Sequence, residues 1–270
     1  MAPVLFFVIP CYNDANTLIK SAPVFSLKMK ELISRGEASK NSRILFVNDT
    51  PGGDTWDRIL SLCGEDPVFC GIDLAFNTGE QRALLAGMFT VGPFSDCVIT
   101  MDSDLQDDIN AVELMLEEYK KGSDTVLGVR NDRSSDALFE RIFSGAFYLG
   151  MRILRTGLVS EHSNYRLMSR KAIEELRKNT SGKVFLPALV CRLPVSKSVV
   201  GYSRQPCARG ESGYSFMKKL KLAGEAMLVY GKYPFSDHIR EKLRGGGTEE
   251  PLYVIRAYAG DFFNGQNAVF

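Results

Sequence analysis

Val98 to Asp108 reads VITMDSDLQDD: four mostly apolar residues that run straight into acidic ones. Such a run is a buried strand ending at a polar rim. If the chain stays extended past Met101, residues i, i+2 and i+4 share one face. That face would carry Asp102, Asp104 and Gln106, with Ser103 and Leu105 pointing the other way. Three oxygen donors on one edge, two of them anionic, suit a hard divalent cation such as Mg²⁺ or Mn²⁺. An ion held by so few protein groups keeps open positions that a diphosphate can fill. Helix capping by Asp107 or Asp108 ahead of an Ala111–Lys121 helix is the bland alternative. It accounts for those two aspartates and leaves the Asp-Ser-Asp-Leu-Gln alternation unexplained.

Working outward, residues 1–127 alternate short β-like runs with helical patterns. Val4–Pro10, Arg43–Asn48, Val68–Phe76, Asp96–Met101 and Thr125–Val129 read as strands. Helices are expected over Ala15–Arg35, with Leu18, Ile19, Leu27, Leu32 and Ile33 as the apolar face and a break or kink at Pro23. Further helices are expected from an Asp54 N-cap to Cys63 and over Thr78–Val91. This alternation predicts an α/β fold built on a mainly parallel sheet, whose ligand lies beyond the carboxyl ends of the strands. Those ends are Pro10–Asp14, Asn48-Asp49, Asn77 and Asp102–Asp104, so polar residues collect at one rim. The second half is less regular. A helix is expected over Asp136–Leu154, a strand at Asn164–Ser169, and a helix over Lys171–Lys178 capped by Ser169. A strand within Leu193–Gln205, a basic helix over Tyr214–Tyr230 and a last strand or ordered tail at Pro251–Tyr258 complete the chain. The expected division is a main domain over residues 1–230 and a C-terminal extension over 231–270.

At 270 residues with 45% apolar and 24% charged residues, the chain has the composition of a globular protein. No apolar run approaches the roughly 18 residues of a membrane span. The start, MAPVLFFVIPCYND, has no basic residue before its apolar run, which argues against a secretory signal. The six cysteines show no C-x-x-C pairing and read as reduced structural thiols, not a zinc site, as in a cytoplasmic protein. Net charge is +1, but residues 1–127 carry 10 Lys+Arg against 19 Asp+Glu and residues 128–270 carry 23 against 13. An acidic half that would hold a metal and a basic half that follows it suggest a second, anionic partner; nothing points to nucleic acid.

Seven motifs, in order, resemble those of glycosyltransferase family 2. They are Val8–Asp14 (V-I-P-C-Y-N-D), Val47–Asp49 with Asp54-Thr55-Trp56, Asn77–Gln81 leading into Ala83–Gly87, and Asp102–Asp107. Gly128-Val129-Arg130, Tyr165–Arg170 and Gly210–Ser215 follow. The Asp102–Asp107 form is similar to that of the branch with dolichol-phosphate mannosyltransferases and bacterial polyprenyl-phosphate glycosyltransferases. The resemblance implies a GT-A (Rossmann-like) fold and an inverting, metal-dependent transfer from a UDP- or GDP-sugar to a polyprenyl phosphate. A hydroxyl of a glycan or other soluble acceptor is the alternative, as is a degenerate sugar-nucleotide-binding protein without turnover. It implies that Pro10, Tyr12, Asp14, Asn48, Asp49 and Asp102 line the nucleotide. Asp102, Asp104 and Gln106 would hold Mg²⁺ or Mn²⁺, with Asp104 and Arg130 the catalytic pair. Arg130, Arg133, Arg141, Ser144 and Arg209 would bind the acceptor phosphate, a geometry suited to guanidinium forks. A phosphate acceptor is already anionic and needs no strong base. A hydroxyl would need one, for which Glu161 and Asp132 are the candidates. A sugar-nucleotide pyrophosphorylase would open with a glycine- and arginine-rich loop that Cys11–Ile19 lacks. A D-x-D phosphatase would carry its pair on the first strand. The second motif departs from the family, with Asn48, Thr50, Pro51 and Gly53 in place of its usual aspartate, glycine and serine pattern. The branch's membrane helices are also missing here; the Tyr214–Tyr230 helix could instead touch the inner face of a membrane peripherally.

Overall fold

The computed structural model describes residues 1–51, 53–131, 162–180, 184–204 and 251–264. Eight strands form one sheet, in the order β7-β5-β6-β4-β1-β2-β3-β8. They are β1 (Leu5–Cys11), β2 (Arg43–Asn48), β3 (Phe69–Leu74), β4 (Cys97–Thr100), β5 (Thr125–Arg130), β6 (His162–Ser169), β7 (Lys197–Tyr202) and β8 (Ile255–Ala259). β1 pairs in parallel with β2 and β4, β2 with β3, and β5 with β7, whereas β6 and β8 run against their neighbours. The expected mainly parallel α/β sheet is therefore present. β6, inserted antiparallel between β4 and β5, makes it mixed.

The central strands are buried on both faces, which is why β1 is a nearly unbroken apolar run, LFFVIPC. Alternate residues feed two cores. Leu5, Phe7, Ile9, Ile44 and Phe46 face helices α1 (Ala15–Ser34), α2 (Asp54–Glu65) and α4 (Ala111–Lys120). Phe6, Val8, Leu45 and Val47 face α3 (Glu80–Val91), α5 (Arg170–Asn179) and α6 (Leu186–Arg192). α3 lies against the sheet at Gly87: a Cβ there would meet Val8 Cγ1 at 2.4 Å and Val47 Cγ2 at 2.9 Å, so any larger residue would push the helix off the strands.

Several local expectations are corrected. Pro23 lies inside an unbroken α1; it is exposed, so water can take the carbonyl whose hydrogen bond it forfeits. The buried face of α1 is Leu18, Ala22, Phe25, Met29 and Leu32, while Ile19 (52% exposed) and Leu27 (70%) point outward. Asp54 is the first residue of α2, and the cap position is the extended Gly53. α3 begins at Glu80, not Thr78, because Gly79 takes φ 83, a left-handed conformation that glycine tolerates and that stops the helix from extending backward. α6 was not expected at all. Ser169 does cap α5, accepting from the Ala172 N–H at 3.1 Å.

The C-terminal segment is built into the sheet. β8 pairs antiparallel with β3, and the short α7 (Asp261–Asn264) that follows sets Phe262 edge-on to Phe6 and Phe94 at 5.2 and 5.6 Å. The expected boundary at residue 230 and the helices over Asp136–Leu154 and Tyr214–Tyr230 lie outside the described residues. Cys11, Cys63, Cys70, Cys97 and Cys191 are free thiols. Among the described residues no helix is long and apolar enough to cross a membrane.

Candidate active site

The carboxyl ends of β1, β2, β3 and β4 open on one rim, as parallel strands require. After β1 the chain turns at Asn13, which takes φ 55. The turn leaves Tyr12 56% exposed and folds Asp14 back, so that its Oδ2 accepts from the Tyr12 N–H (2.9 Å) and the Ser103 hydroxyl (3.0 Å). Ser103 was expected to face away from the ligand side. Instead it joins the β4 loop to the β1 loop. Burial raises the Asp14 carboxyl, and the bonds from Tyr12 and Ser103 hold part of that rise back.

The chain does not stay extended past β4. The strand ends at Thr100, residues 103–104 form a turn, and Leu105 takes φ 56. Asp102, Asp104 and Gln106 therefore do not share one strand face. Asp102 is half-buried, whereas Asp104 is exposed with its Oδ1 accepting from the Gln106 N–H at 3.1 Å. Asp107 is buried and caps nothing. It bridges to Arg204, with 3.6 Å between Oδ1 and Nε, while the Asp108 N–H donates to Ser203 O. The N-cap position of α4 is Asn110, so capping by Asp107 or Asp108 is corrected too.

This turn sits in a crowd of like charges. Burial first, then Glu80, Asp107 and Asp104, push the Asp102 carboxyl up to about 8, against which Arg204 pulls down. Glu80, at the first turn of α3, is raised by burial and held back by its hydrogen bond from Asn164 and by Arg166 and Arg204. Asp107 is raised by burial, with Arg204, Arg130 and a bond to Tyr202 opposing. Beneath them Arg166 is fully buried; its Nη2 donates to Asn164 Oδ1 at 3.0 Å, and burial lowers its pKa to about 10.

Excess negative charge is chemically what a divalent cation relieves. Among the described residues no three or more His, Cys, Asp or Glu side chains are grouped so as to hold a metal ion by themselves. The carboxylates of Asp102 and Asp104 on the turn are oxygen donors of the kind a hard divalent cation takes. Glu80 and Arg166 fall within the motifs quoted above but were given no role there, and Asn164 and Arg204 were not singled out from sequence. The available signal was Arg166, a charge inside an otherwise apolar strand, Tyr165–Met168.

Other expected site residues are placed as follows. The Asp49 carboxylate accepts from the Thr78 N–H (2.7 Å) and hydroxyl (2.9 Å) and from the Gly79 N–H (2.8 Å), so it holds the β3–α3 loop. Asn48 is wholly buried and bonded to Asp73 and Thr50. Pro10 lies within β1, and Arg130 ends β5 opposite Tyr202, its charge near Asp107. Arg133, Arg141, Ser144, Arg209 and the bases Asp132 and Glu161 lie outside the described residues.

A sheet of this order, carrying an acidic turn after β4, is the framework of a GT-A sugar transferase. Residues 6–177 match the family model Glycosyl transferase family 2, and the chain belongs to that family. It is 32% identical over 232 residues to the uncharacterized glycosyltransferase YkoT of Bacillus subtilis, covering 86% of this chain and 69% of that one. It is 29% identical over 231 residues to the bactoprenol glucosyl transferase of Shigella phage SfX, covering 84% and 72%. Its fold is similar to glucosyl-3-phosphoglycerate synthase of Mycobacterium tuberculosis, solved with Mn²⁺, UDP and glucosyl-3-phosphoglycerate. That match has a TM-score of 0.53 and 15% identity and covers 98% of this chain and 92% of that one. The chain is a glycosyltransferase.

Proposed function

We propose that this glycosyltransferase moves a sugar, with inversion, from a UDP- or GDP-sugar to a polyprenyl phosphate, using Mg²⁺ or Mn²⁺. The observation that carries the reading is the gathering of four carboxyl groups, Asp102, Asp104, Asp107 and Glu80, at the strand-end rim. Asp102 and Asp104 would hold the cation, with Gln106 beside them. When bound, the cation supplies charge stabilisation to the departing diphosphate. Asp14 and Tyr12 frame the ribose and base side of the rim. Asp49 keeps the Thr78-Gly79 backbone in place beneath it.

Arg130 supplies positive charge on the acceptor side, and a phosphate drawn there arrives already anionic. That acceptor attacks without surrendering a proton to the protein. This suits a rim whose described carboxylates are engaged with one another and with arginines. Relatives that act on bactoprenol support the lipid-phosphate acceptor.

Calorimetric titration with UDP and with GDP, each with and without Mn²⁺, tests the donor half. Binding of one nucleotide that needs Mn²⁺ and is lost in Asp104→Ala is the expected result. Binding of neither would remove the proposal. Short polyprenyl phosphates, compared with the matching free alcohols, then test the acceptor: turnover on the alcohols alone would refute the phosphate assignment.

A further inference from the structure

The second motif departs from the family at Asn48, and the reason lies at the far end of the chain. Asp73, at the carboxyl end of β3, is fully buried. Its Oδ1 accepts from Asn48 Nδ2 at 2.7 Å, and its Oδ2 accepts from Arg256 Nε at 2.7 Å and is also approached by Nη2 of the same guanidinium. Arg256 belongs to β8, far outside the residues matched by the family model. The β3–β8 ladder pairs Asp73 with Ala257 and Leu74 with Ile255, so Arg256 is the extra residue of a bulge. Bulges re-aim side chains in this way.

The bonds continue toward the rim. Asn48 Nδ2 also donates to Thr50 O at 3.0 Å, and Asn48 Oδ1 accepts from the Thr50 N–H at 3.3 Å. The Thr50 hydroxyl in turn accepts from the Asn13 N–H at 2.8 Å. Asn13 is the positive-φ residue between Tyr12 and Asp14. An aspartate at 48, the residue type of the resembled motif, would have no N–H to give and would set a second carboxylate against Asp73. Asn48 and the Asp73–Arg256 pair therefore make chemical sense only together.

We infer that Arg256 is a positioning residue for the nucleotide donor: through Asp73, Asn48 and Thr50 it fixes the Tyr12-Asn13-Asp14 turn. This rests on the donor site proposed above. The Arg256 side chain is 48% exposed, so its guanidinium can hydrate when the pair is broken, whereas the buried Asp73 cannot. Replacing Arg256 with glutamine leaves Asp73 charged and half-partnered, so the carboxylate turns or draws in water and Asn48 follows. Replacing both residues, as in the double variant Asp73→Asn with Arg256→Gln, removes the charge and keeps an acceptor for Asn48.

The experiment uses the full chain and whichever of UDP or GDP the unmodified protein binds with Mn²⁺. In Arg256→Gln the donor KM and the nucleotide Kd should rise roughly tenfold while kcat changes less than twofold. The double variant should return both to within about threefold of the unmodified protein. Unchanged KM and Kd in a folded Arg256→Gln would overturn the inference, as would a parallel fall in kcat, which marks general loosening. If that single variant does not fold, the double variant decides. Folded with near-normal Kd, it supports the relay; folded with weak binding, or unfolded, it refutes it. An unmodified protein that binds neither nucleotide refutes the donor site itself, a different failure.

Discussion

Asp73 and Asp102 both stand where strands of one sheet meet the same rim, the first fully buried and the second half-buried, but they are treated in opposite ways. Asp73 receives Asn48 on one oxygen and the Arg256 guanidinium on the other. Asp102 is set among Glu80, Asp107 and Asp104, with Arg204 and Arg166 as countercharges, and its carboxyl is pushed up to about 8. A buried carboxylate with its bonds satisfied stiffens a fold. One left among like charges weakens the fold, and a cation is what the proposed function sets there. On the donor site proposed above, the two regions separate what holds the donor loop from what handles the donor's charge.

The largest expected effect would break the charge-handling side. Asp104→Ala should lower sugar transfer by roughly 10²–10³-fold, the scale of losing one preorganised electrostatic partner. Asp104 is exposed, so the urea midpoint should stay put. An unfolding midpoint that dropped with the activity would show Asp104 to be a structural residue like Asp73.

Next comes the satisfied side. Asp73→Ala removes the acceptor for both Asn48 and Arg256 and should cost about 1–3 kcal/mol in chemical denaturation. A loss below a few tenths of a kcal/mol would mean that the buried carboxylate carries no more weight than a surface ion pair.

The comparison is sharpened by pH. A carboxyl whose folded pKa is raised keeps a proton that the unfolded chain loses, so it lowers stability as pH rises from about 4 through about 8. Asp102→Asn should therefore melt like the unmodified, ligand-free protein near pH 4. Its advantage should grow to about 1–2 kcal/mol at pH 8 and then level off. A gain that was the same at both pH values, or no gain at all, would remove the like-charge account of Asp102.

Away from both regions, Ser169→Ala should cost about 1 kcal/mol by removing the α5 cap, with donor KM unchanged. It calibrates what an ordinary loss of stability does to the kinetics, against which Arg256→Gln can be judged.

Much of the sheet was legible because strands buried on both faces must be apolar throughout: β2 lies where the run RILFVN places it, and β1, β4 and β5 fall within a residue or two of their expected bounds. The phase of α1 was not legible. Ile19 and Leu27 are as apolar as Phe25 and Met29, and only the packing against the sheet selects which pair turns inward. The acidic rim could be located, since polar residues at parallel strand ends have one place to go. Its shape could not, because Leu105 at φ 56 reverses a chain whose residue types suit an extended strand equally well.

By itself the sequence determined the α/β class, the family and the strand ends at which the acidic turn lies. These follow from local polarity and motif order. Tertiary structure alone decided that Glu80 and Arg166 join Asp102, that Ser103 ties the β4 loop to Asp14, and that Arg256 closes on Asp73 across a bulge. Each of these pairs a residue with one 22 to 183 positions away, and a charge in a sequence carries no mark of which distant charge the folded chain will bring beside it.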